Sequence, residues 1–413
     1  MRQCIRCLYT ERHPFKITIN DDGLCSGCRV HDEKLTINWT ERFETLKKLA
    51  DQYRRQNGDS YDCIVPITIG KESYYTLHIV KNVLGLNPLV VIYNTQFTNR
   101  VGARNLANLR ETFDVDLLTK TLDPEFIKTV TRLTLREFGN VYWHVVAGNS
   151  VYPVEAAVNM KIPLIIWGGH QGMEQTGMFS HFDMAEMTQR YREEHDLFSV
   201  SPKHLATFDP ALSINICDKF TYPQYQSIAD VGVKGIYLNN YISWDPLKFQ
   251  RLITSTYGYE NYNQERTFDN WSDINCTVYN GAHDILRLAK HGYSKVTDHL
   301  NREIRWNRID KETAQSIERL YRFQESNDIT PFCNWLGISE NSFWYFVKKH
   351  LNRDIWGSSI ETYQWNNKFS NFKEQISKHQ VRINPLQCPA EEVVTSTDLS
   401  DNMLLFTRGV CDE

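Results

Sequence analysis

The sequence predicts an α/β protein with a doubly wound parallel sheet, an N-terminal cysteine-rich ribbon and a C-terminal helical subdomain. From residue 61 onward, short apolar runs alternate with amphipathic segments, which is the pattern of strands joined by crossover helices. Four cysteines form two Cys-x-x-Cys pairs near the N-terminus, and beyond residue 281 the chain keeps helical periodicity. These three observations set the predicted order of units along the chain.

The bulk composition is that of a globular protein with two or three small cores. The 413 residues are 41% hydrophobic and 23% charged, and the formal net charge is -4. A mildly acidic chain lacks the basic face of a dedicated nucleic-acid-binding protein, so no nucleic-acid partner is expected. No apolar run reaches the roughly 20 residues of a membrane span, and the N-terminus lacks a signal-peptide core. We therefore expect a cytoplasmic protein without membrane insertion.

The four clustered cysteines predict a metal site within residues 1–34. Cys4 and Cys7 are followed, after seventeen residues, by Cys25 and Cys28. Each pair can place two sulfurs on one tetrahedral ion, and four thiolates close its coordination sphere, which predicts a structural Zn²⁺ ribbon. Two disulfides, four unrelated thiols and an iron–sulfur cluster are the alternatives.

Residues 35–60 are predicted to form a linker helix between the ribbon and the main domain, because apolar side chains recur there at spacings of three and four. The α/β domain is predicted over residues 61–280 and the helical subdomain, which would complete the site, over residues 281–363. The remainder, 364–413, loses periodicity and is expected to be an irregular tail.

Apolar runs at residues 61–67, 89–93, 115–119 and 162–167 predict the strands of the sheet, and residues 236–246 resemble a further strand. Right-handed crossovers between parallel strands place the ligand crevice at the carboxyl ends of the strands. Residues 70–73, 93–95 and 167–170 are therefore expected on one rim.

The turn after the first strand reads Thr68-Ile69-Gly70-Lys71-Glu72-Ser73 and leads into a helical pattern. The first turn of a helix has unpaired backbone N–H groups and the positive end of the helix dipole, so it can bind a phosphate, and Lys71 adds a charge. An ordinary strand-to-helix turn capped by Ser73 fits the same residues.

These six residues resemble the pyrophosphate-binding loop (PP-loop) of N-type ATP pyrophosphatases, whose pattern is Ser-Gly-Gly-x-Asp-Ser. In particular, they resemble the N-acetyl sugar amidotransferases of surface-polysaccharide biosynthesis, including lipopolysaccharide and O-antigen. Further segments similar to that family follow in order, and include residues 74–75, 87–89, 143–144, 167–170, 177–180, 192–195 and 296–305. The resemblance covers most of residues 1–356 and implies the PP-loop ATPase, HUP-like fold.

The chain departs from the family pattern at several positions. In the loop, Thr68 replaces Ser, Ile69 replaces the first Gly and Glu72 replaces Asp. Gly169 stands where the family commonly has Glu, and residues 145–147 are apolar where polar residues are expected. A β-branched residue such as Ile69 tolerates neither positive φ nor close approach of a phosphate to the backbone.

The resemblance implies an ATP-dependent amidotransferase. Members of the family adenylate the oxygen of an N-acetyl group on a nucleotide-linked sugar, ammonia attacks the imidate carbon, and AMP leaves to give an acetamidino sugar. ATP, Mg²⁺ and Zn²⁺ are the implied cofactors, and a glutaminase with a cyclase-like partner is the implied source of ammonia. The alternatives are a PP-loop enzyme that thiolates or amidates another substrate, and a catalytically impaired relative that serves as a scaffold subunit.

The resemblance also assigns residues to roles. The implied ATP-binding set is Thr68, Gly70, Lys71, Glu72, Ser73 and Asn94; the catalytic set is Lys71, Glu72, His170, Asp298 and His299; the substrate-binding set is His144, Thr297, Arg302 and Arg305. Without the family context, a histidine beside a buried strand is more often structural, and two arginines three residues apart form a solvated helix face. Glu174, a lone carboxylate in a glycine-rich loop, is expected to be solvated.

Overall fold

Five parallel strands form the central sheet of the protein, whose computed structural model describes residues 2–54, 60–357 and 403–405. Along the chain the first six strands are β1 (Cys63–Pro66), β2 (Pro88–Tyr93), β3 (Phe97–Asn99), β4 (Leu117–Lys120), β5 (Leu164–Trp167) and β6 (Lys234–Tyr237). Across the sheet the order is β4-β2-β1-β5-β6, and β3 lies outside it. The chain thus runs outward from β1 in one direction and then returns to β5, so the order reverses between β1 and β5.

The helices of the described residues follow the predicted alternation. They are α1 (Ser26–Glu33), α2 (Trp39–Tyr53), α3 (Lys71–Leu77), α4 (Arg100–Phe113), α5 (Pro124–Phe138), α6 (Trp143–Met160), α7 (Gln171–Glu174), α8 (Gln189–Tyr191), α9 (Pro202–Ala206), α10 (Ser213–Phe220), α11 (Tyr225–Val231), α12 (Pro246–Tyr257), α13 (Thr277–His291), α14 (Lys295–Arg305), α15 (Lys311–Tyr321), α16 (Ile329–Leu336), α17 (Glu340–Lys349) and α18 (Arg353–Trp356). A π-helical turn, His78–Val83, continues α3.

Both faces of the sheet are covered by helices, which explains why its strands read as continuous apolar runs. All six residues of β2 are buried. One core contains side chains from α2, α3, α4 and α12, and a second contains side chains from α5, α6 and α10 on the other face. The predicted doubly wound α/β fold, with its N-terminal cysteine cluster and helical C-terminal region, is therefore confirmed.

Helix α5 shows how local sequence sets an element and its packing. The side chain of Asp123 accepts a hydrogen bond from the backbone N–H of Phe126, and Pro124 occupies the first turn, where its missing donor costs nothing. Gly139 ends the helix at φ 56°, and a Cβ there would lie 2.7 Å from the His350 ring. The glycine therefore permits both the left-handed turn and the docking of the C-terminal helices.

The C-terminal helices pack on two different partners. Helices α13, α16 and α17 share a core with Phe97 and Leu135 of the α/β domain. Helices α14 and α15 instead share a core with the cysteine ribbon, and the backbone N–H of Leu8 donates to Oδ1 of Asn301 at 2.7 Å. The ribbon thus packs on a helix almost 300 residues away in sequence, a contact that the sequence did not predict.

A short strand near the C-terminus, β7 (Met403–Leu405), pairs antiparallel with β3. The rest of the predicted irregular tail lies outside the described residues, and the predicted domain boundaries remain predictions. None of the described helices has the length and apolar character that a membrane crossing requires.

Candidate functional site

A cavity of about 650 Å³ opens at the carboxyl ends of the central strands. Thr68 after β1, Asn94 after β2, His170 after β5 and Tyr237 at the end of β6 all line it. Its opposite wall comes from α13 and α14. Because the strand order reverses between β1 and β5, the cavity occupies the switch point at which doubly wound proteins bind their ligands.

The loop after β1 keeps a glycine-like backbone although it holds an isoleucine. Ile69 has φ 65°, in the left-handed region that β-branched residues avoid. Its side chain is buried in the core on that face of the sheet. Ile69 thus has the positive φ that a β-branched residue was expected not to tolerate, and its side chain packs in the core. Gly70 then caps α3 with extended φ and ψ, and the Ser73 hydroxyl accepts the N–H of Thr68 at 3.1 Å.

Lys71 lies behind the cavity wall rather than on it. Its side chain is fully buried, and its amine donates to the hydroxyl of Ser272. The amine is also 3.7 Å from Oδ2 of Asp269 and 3.5 Å from Oε1 of Glu72. The Lys71 amine is therefore surrounded by protein groups. The contact of Lys71 with phosphate remains a prediction.

Asp269 is the centre of this buried network and was missed in the sequence. Its Oδ2 lies 2.8 Å from a guanidinium nitrogen of Arg302 and accepts the Ser272 hydroxyl at 2.7 Å. Burial alone would raise the pKa of this carboxyl, but Lys71, His299 and Arg302 hold it well below its usual range. Asp269 sits in an irregular polar stretch without periodicity, so no sequence signal marked it.

Asp298 and His299 are neighbours on α14 and both line the cavity. Asp298 accepts from Arg287 at 2.7 Å and from the hydroxyl of Tyr9, in the ribbon, at 2.5 Å. Nδ1 of His299 is 2.7 Å from the Thr267 hydroxyl, and burial lowers the pKa of this imidazole to about 3. The pair therefore offers a carboxylate and a neutral imidazole to the cavity.

His170 lines the cavity with unused hydrogen-bonding capacity. The side chain is 2% exposed, and neither ring nitrogen has a hydrogen-bond partner among the described residues. The rings of Phe179, Tyr191 and Tyr237 surround it at centroid distances of 5.3, 4.6 and 4.5 Å. Burial lowers its pKa to about 3, so the neutral ring presents one donor and one acceptor. An unsatisfied buried imidazole on a cavity wall is suited to bind a polar ligand group.

Glu174 supplies a carboxylate to the rim, which corrects the expectation that it is solvated. Its Oε2 lies 2.5 Å from the amine of buried Lys34, and its Oε1 accepts from Asn239 at 3.0 Å. At Gly169, a Cβ would lie 2.7 Å from Nε1 of Trp244. The indole ring therefore occupies the space that a longer side chain at position 169 would need.

Two residues expected to bind substrate make their contacts within the protein, away from the cavity. His144 is buried in the core, with its ring nitrogens 3.2 Å from the hydroxyls of Tyr93 and Tyr279, and burial lowers its pKa to about 3. Thr297 closes the capping box of α14 with Ser294. Neither side chain lines the cavity.

The predicted site residues thus divide into two groups. Those that line the cavity are Thr68, Glu72, Ser73, Asn94, His170, Asp298, His299, Arg302 and Arg305; Gly70, Lys71, His144 and Thr297 do not. The two arginines are engaged with protein groups: Arg302 binds Asp269 and Glu303, whereas Arg305 binds backbone carbonyls. The functional roles of these residues remain predictions.

The cysteine cluster has the geometry of a tetrahedral metal site. The sulfurs of Cys4, Cys7, Cys25 and Cys28 are buried and all lie within 4.8 Å of one another. Those of Cys4 and Cys28 are 3.9 Å apart, and those of Cys7 and Cys25 are 3.6 Å apart. Zn–S bonds of about 2.3 Å in a tetrahedron require sulfurs roughly 3.8 Å apart. The four residues therefore fit a divalent metal such as Zn²⁺.

Comparisons with known proteins find one matching sequence family and similar proteins. Residues 258–370 match the family described as LPS biosynthesis protein WbpG-like, C-terminal domain. An uncharacterized protein of Methanocaldococcus jannaschii is 24% identical over 124 residues, a match that covers 29% of this chain and only 43% of that protein.

Among solved structures, the chain is similar to the NH3-dependent NAD synthetase of Campylobacter jejuni in complex with the nitrate ion. The similarity has 13% identity and a TM-score of 0.26, and it covers 47% of this chain and 92% of the synthetase chain.

Proposed function

We propose that the protein is an ATP-dependent amidotransferase of lipopolysaccharide or a related surface glycan. In this proposal it converts the N-acetyl group of a nucleotide-linked sugar to an acetamidino group. One observation carries the proposal: a single cavity joins the PP-loop-like turn after β1 to α13 and α14. Both helices belong to the region that matches the LPS biosynthesis family. A nucleotide on one wall would face a sugar on the other.

The wall near β1 suits a nucleotide with its metal. Thr68 and Ser73 place hydroxyl groups there, and Glu72 and Asp273 add carboxylates. The Asn94 amide also lines this wall but bonds Thr121 and the backbone of Gln96. Carboxylate oxygens are the ligands that Mg²⁺ prefers, and Mg²⁺ usually binds through one or two of them together with substrate phosphates. This wall would therefore hold the triphosphate and its Mg²⁺.

The proposed reaction has two steps. The N-acetyl oxygen attacks the α-phosphorus of ATP and pyrophosphate leaves, which gives an adenylated imidate. Ammonia then attacks the imidate carbon, and AMP leaves with the former acetyl oxygen. Charge develops on phosphate in the first step, so backbone N–H groups fixed in the loop would stabilise the transition state.

His170 is suited to orient a reactant rather than to deprotonate it. Burial keeps the pKa of its ring near 3, so it is a weak base at neutral pH. Its unpartnered nitrogens can accept an N–H of ammonia or donate to the acetamido oxygen. The second step needs neutral ammonia, and a glutaminase partner with a cyclase-like subunit is the proposed supplier.

The test is calorimetric titration of the metal-loaded protein with ATP and Mg²⁺, with Gly70→Val as the variant. Gly70 has φ -76° and ψ 171°, which any residue adopts, so the substitution leaves the backbone unstrained. The new side chain would stand beside Thr68 and Glu72, where a Cβ has its nearest neighbours. We expect micromolar binding by the unmodified protein and at least tenfold weaker binding by Gly70→Val.

The control is the thermal unfolding midpoint of both proteins, which should agree if the valine acts by blocking the loop. Binding that survives Gly70→Val would place the nucleotide elsewhere. An unmodified protein that does not bind ATP would contradict the enzyme proposal and favour the scaffold alternative. If ATP binds, release of AMP in the presence of ammonia and UDP-linked N-acetyl sugars tests the reaction itself.

A further inference from the structure

The second Cys-x-x-Cys pair of the ribbon packs directly on residues 170–177, which we call the rim segment. This segment carries His170 and Glu174 into the cavity wall. The hydroxyl of Ser26, between the two cysteines of the pair, donates to the carbonyl of Thr176 at 2.7 Å. A Cβ on Gly177 would overlap the backbone carbonyl of Ser26, so only glycine permits this approach. The shape of the rim segment therefore depends on the position of the cysteine pair.

Arg305 joins the cysteine cluster to the same segment. One guanidinium nitrogen donates to the carbonyls of Glu174 and Gln175 at 3.1 and 2.7 Å. The other lies 3.9 Å from the sulfur of Cys25. A Cβ on Gly27 would collide with the guanidinium group. The arginine is thus inserted between the metal-binding sulfurs and the cavity rim.

A bound metal would affect both the charge beside Arg305 and the folding of the cysteine ribbon. Four thiolates around a divalent ion leave a net charge of about -2, for which the guanidinium is the adjacent counter-charge. A ribbon of this size has too few apolar contacts of its own to fold alone, so the free energy of metal binding drives its folding. Without the ion, the cysteine pair would lose the bonds that fix its position beside the rim segment, and Arg305 would lose its adjacent counter-charge.

We propose that Arg305 is a positioning residue that links occupancy of the cysteine metal site to the shape of the cavity rim. Metal binding and ligand binding in the cavity are then thermodynamically coupled, and each strengthens the other by the same factor. The proposal holds for any ligand of the cavity, so it stands apart from the amidotransferase assignment.

The experiment is hydrogen exchange of the full chain, loaded with Zn²⁺, followed by mass spectrometry of peptides that cover the rim segment. Arg305→Gln removes the positive charge and the guanidinium group that contacts both the rim carbonyls and Cys25. Arg6→Gln is the matched control, because Arg6 also lies in the ribbon region but binds Asp32 at 2.7 Å rather than the rim. Zn²⁺ content is measured on each sample.

With Zn²⁺ bound, we expect the rim segment of Arg305→Gln to exchange roughly tenfold faster than in the unmodified protein, within the usual range of coupling factors. Removal of Zn²⁺ from the unmodified protein by a chelator should accelerate the same peptides. Arg6→Gln should leave them unchanged. None of these readouts uses a nucleotide, so they separate this proposal from the proposed function.

Wild-type exchange at the rim in zinc-loaded Arg305→Gln would overturn the proposal, as would unchanged rim exchange after zinc removal. If Arg305→Gln does not fold by circular dichroism, Ser26→Ala replaces it. That variant removes only the bond to Thr176, and we expect severalfold faster exchange at residues 174–177. No change in that variant would count against the link as well.

Discussion

Ile69 stores backbone strain at the edge of the cavity. A left-handed conformation costs a residue with a Cβ roughly 1–2 kcal/mol, and Ile69 adopts φ 65°. Its side chain is 3% exposed, and burial of an isoleucine side chain contributes roughly 1.5–3 kcal/mol. Burial therefore offsets the strain, and the loop retains the conformation of a glycine-containing turn.

This balance predicts different costs for two glycine substitutions. Ile67 is as buried as Ile69 but has negative φ. Ile67→Gly should lower the free energy of unfolding by roughly 3–5 kcal/mol through loss of a core side chain. Ile69→Gly loses a similar side chain but relieves the strain, so its cost should be smaller by roughly 1–2 kcal/mol. Urea denaturation of both variants measures the difference, and equal costs would show that Ile69 is not strained.

At the scale of single elements, α14 organises the far wall of the cavity. Asp298 contacts the ribbon through Tyr9, Arg302 contacts Asp269, and Arg305 contacts the rim segment. All three side chains come from one eleven-residue helix. At its N-terminus the Thr297 hydroxyl accepts the backbone N–H of Ser294 at 3.2 Å, which fixes the first turn of the helix that carries these three side chains.

Thr297→Ala should therefore destabilise the protein without removing a ligand contact. Its hydroxyl accepts from the N–H of Ser294 and donates to Glu318. Loss of a cap costs about 0.5–2 kcal/mol. Thr313, at the same position of α15 but exposed, is the matched control and should cost less than about 0.5 kcal/mol as a surface substitution. Unfolding by urea gives both values. Weaker ligand binding with unchanged stability would instead support the substrate-binding role expected from the sequence.

At the scale of the whole molecule, the sequence predicted the sheet because strands buried on both faces read as apolar runs. It also predicted the cysteine cluster, since both pairs are local in the chain. The docking of Tyr9 on Asp298 joins residues 289 positions apart, and no local pattern carries such a contact. Lys71 was expected on the cavity because it lies in the first turn of the helix after β1, where its charge would add to phosphate binding, but the buried carboxylate of Asp269 lies beside its amine. Tertiary packing, which a local pattern does not contain, determines whether this lysine pairs with a protein carboxylate or with a ligand phosphate.

Buried neutral histidines predict how the stability of the whole protein depends on pH. Burial lowers the pKa to about 3 for His144, His170, His283 and His299. In the unfolded chain these rings have pKa values of about 6.5. Between those values the unfolded state binds more protons than the folded state, so the free energy of unfolding is fully retained above pH 6.5 and falls as the pH decreases toward 3.

Each such histidine contributes at most about 1.4 kcal/mol per pH unit below 6.5. Denaturation at pH 7.5, 6.5 and 5.5 should show the decline, and His144→Gln should reduce its slope by up to about that amount, because the two tyrosine hydroxyls then meet a group that does not titrate. His204→Gln, at an exposed position, is the control for the substitution itself. An identical slope in His144→Gln and the unmodified protein would mean that the His144 ring becomes protonated in the folded core, which its burial disfavours.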